Sequence, residues 1–166
     1  MNKNYLLIAV LAFGLISCGG EKSTDHSENH DQADHDHSAM ADSKAPEDMF
    51  EITEGQRVFF VNLSDGDQVT SPFKVEMGVE GMEVEPAGEN HKNKGHHHIL
   101  IGEEFTPVQV VVPADSTHIH FGKGQTETEL DLAPGTYTIS LQFANGFHQS
   151  YGEKMSASIQ IEVIEE

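Results

Sequence analysis

Phe73-Lys74-Val75-Glu76-Met77-Gly78-Val79 decides the fold. Its apolar residues Phe73, Val75, Met77 and Val79 occupy every second position. That period marks a strand with one buried face. The same rhythm extends in both directions. Arg57-Val58-Phe59-Phe60-Val61-Asn62-Leu63 reads as an earlier strand, closed by the turn Ser64-Asp65-Gly66-Asp67. Downstream, a polar loop from Gly81 to Gly95 precedes strands at His96 to Ile101, Val108 to Val112 and Thr117 to Phe121. Thr126 to Leu132 sets Thr128, Leu130 and Leu132 against Glu127, Glu129 and Asp131. Ala133-Pro134-Gly135 turns the chain. Tyr137, Ile139, Leu141 and Phe143 then share one face, and Met155, Ala157, Ile159, Ile161 and Val163 another. About seven or eight short strands with turn signals and no helical period predict an all-β fold, an antiparallel immunoglobulin-like β-sandwich over residues 55–166. A small closed barrel is the alternative. Tyr137, following Leu132-Ala133-Pro134-Gly135-Thr136, resembles a tyrosine corner.

The N-terminal third is different. Tyr5 to Ile16 is an apolar run of about a dozen residues after a short, weakly positive start. It is too short to span a bilayer and has the length of a signal-peptide core. It ends in Leu15-Ile16-Ser17-Cys18-Gly19, which resembles a bacterial lipobox with Cys18 as the lipidated residue. Residues 1–17 are thus read as a lipoprotein signal peptide, with an ordinary signal peptide and an incidental Cys as the alternative. Cys18 is the single cysteine, so no intrachain disulfide can form. Residues 18–54 are acidic, carry His26, His30, His35 and His37, and hold few large apolar side chains. Such a segment cannot offset its ordering entropy and is expected to be a disordered tether spanning about 30–36 Å. Its histidines are read as part of a solvated linker, with weak metal capture as the second reading.

A net charge of −19 and a pI near 4.7 argue against nucleic-acid partners and against docking on anionic membranes. The expected location is the cell envelope, periplasmic or outer-membrane-associated, with the lipid anchor as the membrane partner and an envelope protein as a further candidate partner.

Two runs carry specific chemistry, Gly95-His96-His97-His98-Ile99-Leu100-Ile101 and Thr117-His118-Ile119-His120-Phe121-Gly122. Each holds a His-x-His pair, and alternate side chains of a strand point the same way. If Ile99, Ile101, Ile119 and Phe121 face the core, then His96, His98, His118 and His120 share the outer face. His97 then stands apart near the core edge. Neighbouring strands would bring these imidazoles within reach of one ion at bonds of about 2.0–2.1 Å. An all-imidazole set suits zinc, copper(II) or nickel, and the expected cofactor is zinc or copper. His148 is an additional candidate ligand on a loop, and His97 and Glu127 are candidates for a supporting role. Met77 and Met155 fit the core pattern. The competing reading is a hydrogen-bond network of histidines with no ion.

No catalytic residue is identified, and the chain is read as a non-enzyme. There is no Gly-x-Ser-x-Gly, and Phe121-Gly122-Lys123-Gly124-Gln125-Thr126 lacks the spacing of a phosphate loop. A metalloenzyme with Glu127 as its acid or base is a third, lesser reading.

The two histidine runs, with Gly122-Lys123-Gly124-Gln125-Thr126-Glu127, Asn62-Leu63-Ser64-Asp65-Gly66-Asp67, Ser71-Pro72-Phe73 and Leu132-Ala133-Pro134-Gly135, resemble the domain-of-unknown-function 4399 family of exported bacterial domains. The resemblance covers roughly Val58 to Val163 and implies a domain type without an assigned activity. A metal-binding lipoprotein for storage, delivery or sensing is the leading expectation. A structural or interaction module is the alternative.

Overall fold

The computed structural model describes residues 47–165. The residues read as a signal peptide, Cys18, and the histidines of the expected tether lie outside them. The described chain forms nine strands: β1 Arg57–Phe60, β2 Gln68–Thr70, β3 Phe73–Glu80, β4 Glu83–Val84, β5 Lys94–Ile101, β6 His118–His120, β7 Glu127–Leu130, β8 Gly135–Ala144 and β9 Ser156–Ile164. They make two sheets. One is three-stranded in the order β1-β3-β7. The other runs β2-β9-β8-β5, with β4 and β6 both paired to β5. Pairing is antiparallel except for two short parallel pairs, β2 with β9 and β4 with β5.

The alternation read in the sequence sets the core. Phe73, Val75 and Met77 of β3 are buried with Ile99 of β5, Ile139, Leu141 and Phe143 of β8, and Ile161 and Val163 of β9. Truncating any of the large fully buried side chains to Ala is expected to cost about 2–5 kcal/mol. Lys74 of β3 points the other way and pairs with Glu76 at 2.7 Å and Glu127 at 3.0 Å. The Tyr137 hydroxyl donates to the Ala133 carbonyl at 3.0 Å, the bond of a tyrosine corner. Gly124, at φ 77°, lets residues 121–124 turn between β6 and β7, with Gly124 N donating to Phe121 O.

Three expectations change. The ordered fold begins before residue 55: Glu47–Phe50 is a 3-10 turn, and Phe50 is buried against Tyr151 with ring centroids 5.6 Å apart. An isolated aromatic in a polar segment gave no periodic signal. Val108 to Val112 is not a regular strand. It keeps a single bridge, Val111 to Gln149, and Val108, Val110 and Val111 are exposed. Its run of β-branched residues mimics a buried strand, but it serves as a cover.

That cover is the third change. The outer face of β5 and β8 is not at the surface. Ser140 donates to Glu103 O, Ser156 and Ser158 to Glu104 O, and Thr106 N to Gln142 Oε1. Val112 N then donates to His148 O. The segment between β5 and β6 therefore lies across the sheet, and Leu100, Val112 and Ala144 form a second small core beneath it.

Candidate metal centre

β5 and β6 are neighbours. Their register pairs His98 with His120, Ile99 with Ile119, and Leu100 with His118. β5 approaches β8 closely at Gly95, where a Cβ would stand 2.1 Å from Ala144 O. Strand parity holds: Ile99 faces the inter-sheet core while His96 and His98 face the covered side. Both imidazoles are buried, at 0% and 1% exposure.

Four rings converge. His96 Nε2 lies 3.1 Å from His98 Nε2, and His120 Nε2 lies 3.1 Å from His148 Nε2. Ring centroids are 5.0 Å apart for His96 and His120, 5.1 Å for His98 and His120, 5.1 Å for His96 and His148, and 6.0 Å for His98 and His148. One nitrogen from each of His96, His98 and His120 falls within 4.8 Å of the others. Tetrahedral bonds of about 2.0–2.1 Å place donor nitrogens about 3.3–3.4 Å apart. The two short nitrogen pairs are close to that separation.

Burial favours the neutral form of His96, His98 and His120. Desolvation, followed by repulsion from neighbouring imidazoles, lowers His96 to about 4 and His98 to about 2. Desolvation and then His148 lower His120 as well. A neutral imidazole offers a lone pair at ordinary pH, which a metal ligand requires. Nδ1 of His96 and of His98 has no hydrogen-bond partner among the described residues. Treated as a hydrogen-bond network, the cluster is half-satisfied, and a half-satisfied buried network is unfavourable.

His148 reaches the cluster through a built turn. Buried Asn145 accepts from Phe147 N at 3.0 Å and Gln149 N at 2.9 Å, and donates to Gln149 Oε1 at 3.0 Å. His148 itself sits at φ 65°, a left-handed conformation that is strained for a residue with a side chain. His120 is placed by Gly122, where a Cβ would fall 2.4 Å from His120 Nε2. Neither Asn145 nor Gly122 stands out in the sequence, because both act through space and not through a motif.

The other candidates lie elsewhere. The register sets His118 opposite Leu100, one step beyond the cluster, with Nδ1 2.8 Å from Asp115 Oδ1. His97 faces the opposite side of β5 against Phe143, at 5.1 Å between centroids, and neither of its ring nitrogens has a partner among the described residues. Burial alone lowers it to about 4. Glu127 belongs to the other sheet, where it pairs with Lys74. A cleft of about 630 Å³, lined by Phe50, Ile52, Phe105, Pro107, Val108 and Tyr151 among others, contains none of the clustered histidines.

A family model described as "Domain of unknown function (DUF4399)" matches residues 75–164. No curated protein matches the chain. Among solved structures, the endo-beta-1,4-mannanase from Thermotoga petrophila is similar at 16% identity and a TM-score of 0.42, over 70% of this chain and 21% of that one. The chain thus spans about a fifth of that protein's length.

Proposed function

The chain belongs to the family of domain of unknown function DUF4399, and we propose that it is a non-enzymatic, transition-metal-binding lipoprotein of the cell envelope. The β-sandwich holds one zinc or copper ion with His96, His98, His120 and His148, for storage, delivery or sensing. Cys18, directly after an apolar signal-like run, supports a lipid anchor. The observation that carries the metal reading is the convergence of four imidazoles in two nitrogen pairs at 3.1 Å, three of them held neutral. Two tiers support release as well as capture: His96 and His98 are fully buried, while His120 and His148 are less so.

The test is metal content and titration of the tag-free chain with Zn(II) and Cu(II). One equivalent is expected to bind with micromolar or tighter affinity and to be lost in His96→Gln/His120→Gln. Unchanged affinity in that variant would refute the site. No such binding by the parent chain would leave the domain as a structural module.

A further inference from the structure

His118 and Glu103 flank a gap that the four-histidine cluster does not use. The two ring nitrogens of His118 are in different situations. Nδ1 lies 2.8 Å from Asp115 Oδ1, a charge-assisted hydrogen bond. The same oxygen accepts from Thr117 N and Thr117 Oγ1, each at 2.8 Å, and from His118 N at 3.1 Å. These bonds, that of His118 foremost, hold Asp115 well below the usual carboxylate range. A proton on Nδ1 faces Asp115 Oδ1, and in that tautomer Nε2 carries the lone pair.

That Nε2 stands 3.6 Å from Glu103 Oε1. The separation is too long for a hydrogen bond. It suits two donors sharing one ion, since bonds of about 2.0–2.2 Å to each would meet at about 120°. A carboxylate on the far nitrogen is the usual way a metal-binding imidazole is oriented. The His118 ring is only 7% exposed, whereas the Glu103 side chain is 57% exposed, so the gap opens to solvent on one side.

We propose that Glu103 and His118 form a second, solvent-open cation site that captures a divalent transition metal before it reaches the four-histidine centre. One imidazole nitrogen and one carboxylate oxygen, completed by water, suit Zn(II) or Cu(II). His118 and His120 lie on the same face of β6, two residues and about 6.6–7 Å apart along the strand. The capture role rests on the four-histidine reading; the second site itself does not.

Cu(II) is the probe, added to the tag-free full chain. A His120→Gln/His148→Gln background disables the main centre. There, paramagnetic broadening of the Glu103 and His118 amide signals is expected, and it should vanish when Glu103→Gln is added. In the otherwise unaltered chain, Glu103→Gln should slow loading of the main centre about tenfold without changing its final affinity, as loss of one donor predicts. Glu103 is a surface side chain, so the variant keeps the Asp115–His118 bond. Sharp signals in the background variant, or a loading rate unaffected by Glu103→Gln, would overturn the proposal. If the four-histidine centre proves not to bind, broadening at Glu103 still decides the second site on its own.

Discussion

Replacing Gly122 with Ala changes no ligand and no charge, only the room beside His120. The added Cβ would lie 2.3 Å from His120 Cε1 and 2.4 Å from Nε2. Carbon atoms rest at about 3.5–4.0 Å, so the ring must move by about 1 Å or more. The ring is a side-chain end on a short edge strand, and Gly122 does not occupy the left-handed region. The metal-free fold should therefore tolerate the change within about 0.5 kcal/mol. A metal bond of about 2.0–2.1 Å does not survive such a shift, because working sites hold their distances to within about 0.2 Å. Three imidazoles remain, so affinity should fall about a hundredfold, which corresponds to about 2.7 kcal/mol, without being abolished. Competition with a chelator of known affinity measures the loss, and urea unfolding of the metal-free protein checks the fold. An unchanged affinity would show that His120 is not held in the centre by the space at Gly122. An equal loss of fold stability would show that the glycine serves the strand and not the ligand.

Three further outcomes follow from the same geometry. His97→Leu should stabilise the metal-free protein by about 1–3 kcal/mol in urea unfolding, because it removes buried nitrogens that have no partners, and should leave metal affinity unchanged. Metal-free stability should fall on acidification: between the ordinary imidazole value of 6.5 and about 4, the unfolded chain protonates His96 and His97 while the folded chain does not. His98 extends that loss toward about pH 2, and the contribution is complete above about 6.5; a flat profile from pH 7 to 4 would contradict the burial of these rings. His148→Gly should relieve the left-handed strain, raising metal-free stability by about 1 kcal/mol while weakening metal binding about tenfold or more, as read by calorimetry.

The faces of the strands were legible because they depend only on the alternation of neighbours along the chain. Ile99 is buried in the inter-sheet core, and His96 and His98 lie together opposite it, as parity requires. Register was not legible. It is fixed by long-range pairing of β5 with β6, and a shift of two residues decides whether His118 or His120 meets His98. Parity cannot distinguish these, since both project to the same side. The burial of that side was also hidden, because the cover is tied down mainly through its main chain, which carries no sequence signal. On the loop, His148 could be named as a candidate, but its approach depends on Asn145 folding a turn around its own side chain.

The way the cover is fastened has a consequence for change over time and for engineering. Ser140, Ser156 and Ser158 grip the carbonyl oxygens of Glu103 and Glu104, and Gln142 grips the amide of Thr106. None of these bonds depends on which side chain the covering residue carries. Phe105, Val108, Val110 and Val111 are exposed, and their side chains make none of these bonds. Away from Glu103, Val112 and Asp115, the segment is thus an interchangeable panel: its outer surface can be rewritten, by mutation or by grafting, while the sheet and the histidines behind it keep their places.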